Sequence, residues 1–235
     1  MIRRGARGPR GAQVIFLLGI FCLLYLFRND ERGPAGWIVI PGADMVMSPS
    51  LPRRGNWLTR LIGRLAYKVT GWRIEGRLPD EPKLVIAGAP HTSHWDAVVA
   101  LGFFTLTGLK CRWMVKEEVF MFPISGIIRW LGAWPVNRED PGELVPEMIE
   151  EMNRNDKFVL VITPEGARRK VARWKTGFYR IALETGAPIT LAYADFARRV
   201  VGFGPTVRPN GDMETQIEEM QSYFKRITAR NPHWA

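Results

Sequence analysis

Hydrophobic and polar positions along the chain form blocks that predict strands and helices in alternation. Short apolar runs between polar or turn-forming residues are typical of buried strands. Such runs occupy residues 83–89, 111–116, 157–163, 187–194 and 199–203. Apolar residues three and four apart predict amphipathic helices at residues 57–69, 124–131, 141–153 and 174–185, and a last helix is capped by Asp212. We therefore expect a single α/β domain with a central, largely parallel or mixed sheet flanked by helices.

The first 46 residues differ from this pattern. An apolar segment at residues 12–27 lies between arginine-containing flanks. The segment is shorter than the ~20 residues of an upright transmembrane helix. It fits a signal-peptide core, a short membrane anchor or an artefact of an upstream start codon, and the charged residues after it argue against cleavage. We expect residues 1–46 to be an extension, dispensable or wrongly included, before a folded domain at residues 47–235.

Charge narrows the classes of partner without choosing among them. The 235 residues carry a net charge of +10, which predicts an anionic partner: nucleic acid, an anionic membrane surface or a phosphorylated ligand. The predicted helix 57–69 is basic and amphipathic, so it either lies on a membrane or packs on the domain. Cys22 and Cys111 form neither a disulfide scaffold nor a metal-binding spacing, and we expect ordinary buried or lipid-facing thiols.

A candidate general base follows the predicted strand 83–89. His91 and Asp96 are separated by four residues. If Thr92 or Ser93 caps a helix here, the Asp96 carboxylate can reach back to an imidazole nitrogen of His91. That contact would fix the tautomer and leave the other nitrogen to take a proton from a hydroxyl that attacks an ester or thioester. A helix-capping turn without catalysis is the alternative.

A candidate phosphate site follows the predicted strand 157–163. Glu165, Gly166 and Arg168 come directly after the strand, and Lys175 follows in the same basic stretch. Guanidinium groups bind phosphate oxygens, and a glycine lets the backbone turn close to a ligand. We expect Glu165 to accept a hydrogen bond from a hydroxyl or to hold an arginine in place. A solvated basic loop is the alternative.

Three further residues carry weaker signals. Arg138 follows a short apolar run and is another candidate for phosphate binding. His94 precedes Asp96 by two residues, so the two side chains face apart on a helix, and we expect His94 to line a pocket or the surface. His233 lies near the C-terminus beside a proline, and we expect it to be exposed to solvent.

Taken in order, these motifs resemble those of the lysophosphatidate (1-acyl-glycerol-3-phosphate) acyltransferase family. The first family motif has a His and an Asp with four residues between them, one of which is Ser, as in His91, Ser93 and Asp96. The next three are a Gly before apolar residues and an Arg, then Pro-Glu-Gly-Thr-Arg, then an apolar stretch around a Pro. Similar residues stand at 132–138, 164–168 and 187–189. The resemblance covers roughly residues 57–230 and is nearest to the compact bacterial members.

The resemblance implies an enzyme that transfers a fatty acyl group from acyl-CoA or acyl carrier protein to the free hydroxyl of a lysophospholipid. The expected acceptor is 1-acyl-glycerol-3-phosphate, which gives phosphatidic acid. His91 would be the base and Asp96 would orient it. The implied substrate-binding residues are Ser93, Arg138, Glu165, Gly166, Arg168 and Lys175. Neither a metal nor a bound cofactor is implied. The expected location is the cytoplasmic face of a membrane, reached peripherally or through one anchor at residues 12–27.

Two departures from the family motifs bear on the acceptor. Ala167 replaces the usual Thr, and Thr190-Leu191 replaces a Val/Ile-Pro pair, which predicts a changed acyl or acceptor pocket. Another lysolipid or glycerol-3-phosphate is therefore an alternative acceptor. A non-catalytic basic membrane-binding protein is the alternative of a different class. Nucleic-acid binding is disfavoured because the sequence lacks the aromatic pattern of single-strand binders and any zinc-finger or helix-turn-helix signature.

Overall fold

The structure is a computed structural model that describes residues 47–121, 124–136 and 144–234. Within these ranges the strands are β1 (Arg73–Glu75), β2 (Lys83–Gly88), β3 (Arg112–Lys116), β4 (Ala133–Val136), β5 (Phe158–Ile162), β6 (Ile189–Asp195) and β7 (Val200–Val207). The helices are α1 (Trp57–Thr70), α2 (His94–Thr107), α3 (Ile124–Trp130), α4 (Leu144–Arg154), α5 (Gly177–Thr185) and α6 (Met213–Phe224). The predictions for residues 1–46 lie outside the described residues.

The strands form one sheet in the order β1-β7-β6-β2-β5-β3-β4. All neighbouring strands are parallel except β6 and β7, which are antiparallel. This arrangement confirms the predicted α/β domain with a largely parallel sheet flanked by helices. The antiparallel pair follows from the short connection between β6 and β7, because a parallel pair needs a crossover of a dozen or more residues.

Strand β2 lies at the centre of the sheet and divides the core into two layers. Leu84 and Ile86 pack against the layer that contains α1 and α2, whereas Val85 and Ala87 pack against the layer that contains α4, α5 and α6. A strand buried on both faces is a continuous apolar run, since successive side chains point to opposite sides. That is why the run at residues 83–89 predicts a strand.

Helices α1 and α2 pack closely because a glycine lies at their contact. A Cβ atom at Gly63 would come within 2.4 Å of the Leu106 backbone nitrogen. The buried Tyr67 hydroxyl donates a hydrogen bond to the Val99 carbonyl at 3.0 Å. Helix α1 therefore packs on the domain, as one of its two alternatives predicts. Its outer side nevertheless exposes large apolar residues, with Trp57 75% exposed.

The start of α5 differs from the sequence expectation. The pattern predicts a helix from residue 174, whereas α5 begins at Gly177. Trp174 is buried against Phe178, four residues later, and so matches a helical spacing. The backbone N–H of Lys175 instead donates to the Pro164 carbonyl at 2.9 Å, and this bond holds the segment before α5 against the loop after β5.

Three residues that the sequence analysis singled out lie in the core: Thr190, Leu191 and Cys111. Thr190 is fully buried, and its hydroxyl pairs with that of Thr206 at 2.8 Å across β6 and β7. Leu191 belongs to the apolar core. The departure from the family at these positions is therefore accommodated inside the sheet. Cys111 is also buried, as predicted, and burial raises the pKa of its thiol to about 12. Cys22 lies outside the described residues.

The register of β2 and β5 determines which loops meet at the carboxyl edge of the sheet. Ala87 pairs with Ile162 in this parallel register. The residues that follow the two strands therefore emerge side by side, although more than 70 positions separate them in the chain. Ligand sites in open α/β sheets lie at this edge. We call residues 90–96 the His91 turn and residues 164–175 the basic loop.

Candidate active site

His91 and Asp96 contact each other at the carboxyl end of β2. The distance between His91 Nδ1 and Asp96 Oδ2 is 3.1 Å. Ser93 is the N-cap of α2, so Asp96 is the third residue of the helix and its carboxylate points back over the turn. For a neutral imidazole this contact assigns the proton to Nδ1 and leaves Nε2 as an acceptor. The contact between these two side chains is the one that their spacing predicts.

The Asp96 carboxylate is held by backbone groups before any substrate arrives. Its Oδ2 atom accepts hydrogen bonds from the Thr92 and Ser93 N–H groups, each at 2.8 Å. The position at the N-terminus of α2 also favours a negative charge. The other oxygen, Oδ1, is buried and has no hydrogen-bond partner among the described residues. The carboxylate is thus held mainly through the oxygen that faces His91.

Glu165 connects the basic loop to the His91 turn. Its Oε2 atom accepts a hydrogen bond from the His91 backbone N–H at 2.8 Å. Burial raises the pKa of Glu165, and the His91 N–H opposes that rise. Among the described residues its hydrogen-bond partner is this backbone amide, and a contact with a hydroxyl or an arginine stays a prediction. In this structure Glu165 supports the backbone of His91, the residue that carries the imidazole.

The basic loop turns sharply at Gly166. This residue has φ +62°, a conformation that favours glycine. Its N–H donates to the Thr163 carbonyl at 3.1 Å. The side chain of Lys175 lies across the turn, because a Cβ atom at Gly166 would be 2.8 Å from Lys175 Cε. Gly166 therefore leaves the space that the Lys175 side chain occupies.

Arg168 extends from the basic loop to the first residue of α2. Its Nη1 atom lies 2.6 Å from His94 Nε2 and also contacts Nδ1 of the same ring. Partial burial, and then the positive charge of Arg168, lower the pKa of His94. A neutral His94 accepts this close cation without charge repulsion. His94 is exposed, as one of its alternatives predicts, and it brings the Arg168 guanidinium beside the His91 turn.

The His91 turn has another contact that the sequence did not predict. The Asn231 backbone N–H donates to Thr92 Oγ1 at 3.1 Å, and the Asn231 side-chain amide donates to the Thr92 carbonyl at 2.9 Å. Thr92 is only 1% exposed. The two residues lie 139 positions apart. Only the fold brings them together, so no local pattern could have identified the pair.

The remaining candidates are placed as follows. The Ser93 hydroxyl accepts a hydrogen bond from the Trp95 N–H at 3.2 Å as the cap of α2, so its contact with a substrate stays a prediction. His233 is exposed, as predicted. Arg138 lies outside the described residues. Among the residues described, no cluster of three or more His, Cys, Asp or Glu side chains could hold a metal ion.

These features define a class of α/β enzyme in which a His–Asp pair lies beside a loop rich in cations. The chain belongs to the acyltransferase family, because the family model described as Acyltransferase matches residues 72–192. It is therefore an enzyme of acyl transfer, and this assignment disfavours the non-catalytic alternative. The matched region contains His91, Asp96, Glu165 and Arg168.

Two relatives show how far the similarity extends. The 1-acyl-sn-glycerol-3-phosphate acyltransferase of Streptococcus pneumoniae (strain ATCC BAA-255 / R6) is 25% identical over 201 residues, which cover 76% of this chain and 75% of that protein. The crystal structure of the 1-acyl-sn-glycerophosphate (LPA) acyltransferase PlsC from Thermotoga maritima aligns with a TM-score of 0.50 and 17% identity, covering 93% of both chains. The second likeness is one of fold.

Proposed function

We propose that this enzyme transfers a fatty acyl group from the thioester of acyl-CoA or acyl carrier protein to the free hydroxyl of a lysophospholipid. The proposed acceptor is 1-acyl-glycerol-3-phosphate, and the product is phosphatidic acid. The observation that carries the proposal is the 3.1 Å contact between His91 Nδ1 and Asp96 Oδ2 beside the cations of the basic loop. The name of the Streptococcus pneumoniae relative supports the choice of acceptor.

In the proposed reaction His91 is the general base. With its proton on Nδ1 facing Asp96, its Nε2 atom takes the proton of the acceptor hydroxyl as that oxygen attacks the thioester carbonyl. Asp96 stabilises the imidazolium ion that forms. The carbon–sulfur bond then breaks, and the departing thiolate takes the proton from His91. The products are the new oxygen ester and a free thiol, and His91 is again neutral.

The basic loop supplies the expected site for the acceptor phosphate. Arg168 and Lys175 are exposed cations of the basic loop, and Arg168 contacts His94 of the His91 turn. A guanidinium can donate two parallel hydrogen bonds to phosphate oxygens. Arg138 remains a further candidate by its sequence position. In this proposal Glu165 and Gly166 shape the loop around the acceptor. The reaction needs no metal and no bound cofactor.

We further propose that the enzyme works at the surface of a membrane. Its acceptor is a lipid, and α1 exposes four large apolar residues, Trp57, Leu58, Ile62 and Leu65. Basic side chains on the same helix suit anionic head groups. In the part of the chain that is described, each helix is too short or too polar to cross a bilayer. The proposed association of this part is therefore peripheral, on the cytoplasmic face.

The test is an acyl transfer assay of the full chain with acyl-CoA and lysophosphatidate, read by mass spectrometry of the lipid product. We expect His91→Ala to lower the rate by about 10²- to 10⁴-fold, the usual contribution of a general base. His233→Ala changes an exposed histidine outside the site and should leave the rate unchanged. Wild-type activity retained in His91→Ala would overturn the proposed mechanism.

A panel of acceptors separates the proposed substrate from its alternatives. Lysophosphatidate, glycerol-3-phosphate and a lysolipid with a different head group are supplied in parallel, each with acyl-CoA and with acyl carrier protein thioester. The proposal expects the highest kcat/KM with lysophosphatidate. A higher kcat/KM with glycerol-3-phosphate, or with the other lysolipid, would reassign the acceptor and keep the chemistry.

A further inference from the structure

We infer that Asn231 is a positioning residue for the His91–Asp96 pair and that it acts through the peptide unit between Thr92 and Ser93. The inference rests on the proposed function, because it assigns Asn231 a part in the same reaction. Asn231 touches neither His91 nor Asp96 in the hydrogen bonds described above. Its effect is therefore indirect.

The peptide unit between Thr92 and Ser93 is held at both ends. Its carbonyl accepts the hydrogen bond from the Asn231 side-chain amide at 2.9 Å. Its N–H donates to Asp96 Oδ2 at 2.8 Å. The carbonyl and the N–H of one peptide plane point in opposite directions. The Asn231 bond on one side therefore fixes the direction in which the N–H meets Asp96 on the other.

The second bond from Asn231 restrains the same residue through its side chain. The Asn231 backbone N–H donates to Thr92 Oγ1 at 3.1 Å. The Thr92 N–H is in turn a donor to Asp96 Oδ2. Both backbone donors that hold the Asp96 carboxylate thus belong to Thr92 or to the peptide unit after it. Asn231 restrains these two donors from outside the His91 turn.

Asn231 is itself held in place by the C-terminal segment, residues 228–234. The Thr228 carbonyl accepts a hydrogen bond from Phe196 N–H at 3.0 Å, and the Asn231 carbonyl accepts one from Trp234 N–H at 3.0 Å. Ala229 is buried. The segment is therefore tied to the domain before Asn231, and a local turn follows Asn231. The Asn231 side-chain amide is already oriented toward the Thr92 carbonyl, which reduces the entropic cost of the contact.

Loss of the Asn231 amide would leave a buried carbonyl without its partner, and the peptide unit would turn to satisfy it. The Ser93 N–H would then leave Asp96 Oδ2, and the carboxylate would lose its fixed position facing His91. Asn231 makes no proposed contact with either substrate. We therefore expect an effect on kcat and none on the KM values.

The experiment compares Asn231→Ala and Asn231→Asp with the matched control Asn155→Ala. The Asn155 amide also donates to a backbone carbonyl, that of Glu151, at 2.7 Å. Asn155 precedes β5, so it lies at the opposite edge of the sheet from the His91 turn. All three variants lose one amide-to-carbonyl hydrogen bond. Only the Asn231 variants lose it next to the proposed active site.

We expect Asn231→Ala to lower kcat about tenfold, which corresponds to about 1.4 kcal/mol. The KM values for both substrates should stay unchanged. Asn231→Asp should lower kcat further, because the new carboxylate cannot donate a hydrogen bond and repels the Thr92 carbonyl. Asn155→Ala should retain the wild-type kcat. Equal kcat losses in Asn231→Ala and Asn155→Ala, or a rise in KM without a loss in kcat, would overturn the inference.

Two measurements on the protein without substrates separate this inference from the proposed function. Nitrogen-15 NMR of the imidazole identifies the protonated nitrogen of His91, and hydrogen exchange reports the Ser93 amide. In Asn231→Ala we expect a mixed tautomer and faster exchange, with neither change in Asn155→Ala. Unchanged spectra and exchange would overturn the inference. If the wild type transfers no acyl group, the proposed function fails, while these readouts still decide the role of Asn231.

A second variant covers the case in which Asn231→Ala does not fold. Thr92→Val keeps the side-chain shape and removes only the acceptor of the Asn231 backbone N–H. We expect a smaller loss of kcat than in Asn231→Ala, with unchanged KM values. A fully retained kcat together with unchanged Ser93 exchange would count against the inference.

Discussion

The His91 turn and the basic loop leave neighbouring strands of one sheet, yet they are built in different ways. In the turn, Thr92 is buried, and Asp96 Oδ2 faces two backbone N–H donors and the His91 imidazole. In the loop, the arginine and lysine side chains are exposed, and the backbone hydrogen bonds seen among the described residues are those of Gly166 and Lys175. The turn is thus rigidly held by many contacts, whereas the loop presents charge on a lightly restrained backbone.

This difference separates two requirements of the proposed reaction. A general base must lie within hydrogen-bond reach of the proton that it removes, and small displacements are costly. A phosphate group accepts hydrogen bonds from many directions, so cations on flexible side chains can bind it in several geometries. We therefore expect changes in the turn to lower kcat steeply, and changes in the loop to raise the KM for the acceptor more gently.

After His91→Ala, the largest effect is expected for Asp96→Asn. The amide oxygen can still accept from the Thr92 and Ser93 N–H groups and from His91, but the variant lacks the negative charge that stabilises the imidazolium ion. We expect kcat to fall by about 10²- to 10³-fold, within the range of general acid–base contributions. Steady-state kinetics measure the change. Asp212→Asn, at the N-cap of α6, is the matched control, and equal kcat values in the two variants would contradict the assigned role.

A smaller effect is expected for Arg168→Gln. The loss of a charge-assisted hydrogen bond to phosphate should raise the KM for lysophosphatidate about tenfold, with kcat little changed. Arg154→Gln provides the control, because Arg154 forms an exposed pair with Glu150 on α4. A loss of kcat in Arg168→Gln without a change in KM would show that Arg168 acts on the general base. The expected difference between the His91 turn and the basic loop would then be wrong.

Gly166→Ala tests whether the loop acts through the position of Lys175. Gly186 has a similar φ of +67°, with nothing near the site of a Cβ atom, so Gly186→Ala is its control. Both variants should lose about 1–2 kcal/mol of stability from the strained backbone, measured by thermal unfolding. Only Gly166→Ala should displace Lys175 and raise the acceptor KM severalfold. An equal KM in both variants would show that Lys175 does not bind the acceptor.

The smallest effect concerns His94 and pH. The folded state lowers the pKa of His94, so the unfolded chain binds a proton at this residue more readily. The associated stability is present above the ordinary histidine pKa of about 6.5 and is lost as the pH falls through the lower folded value. The unfolding temperature of His94→Gln should therefore decline less steeply than that of the wild type below neutral pH. His233→Gln should follow the wild type, and identical slopes in all three proteins would contradict the expectation.

The local features of the His91 turn and of the basic loop could be predicted from the sequence. The strands before the two loops are continuous apolar runs, and the cap at Ser93 and the spacing of His91 and Asp96 predict their contact. The glycine turn at Gly166 also follows from a glycine in a polar loop after a strand. These features depend on residues within a few positions of one another, and local patterns therefore contain them.

Features that depend on residues far apart in the chain could not be predicted from the sequence. The Asn231–Thr92 contact needs the C-terminal segment to return to the carboxyl edge of β2, which no spacing encodes. The Glu165–His91 bond requires the β2–β5 register. At Trp174 a local pattern misleads: its spacing from Phe178 fits a helix, but the bond from Lys175 to Pro164 holds the segment in a loop. Tertiary hydrogen bonding overrides periodicity there.

The buried thiol of Cys111 has a practical consequence for measuring this enzyme. Acyl transfer from a thioester releases a free thiol, which a thiol-reactive dye can detect continuously. Cys111 is 3% exposed, and its pKa of about 12 keeps the thiol protonated at neutral pH, whereas such dyes react with accessible thiolates. In the folded enzyme Cys111 therefore adds no background signal, and a slow rise in the dye reactivity of Cys111 without substrate reports unfolding of the layer that contains α1 and α2.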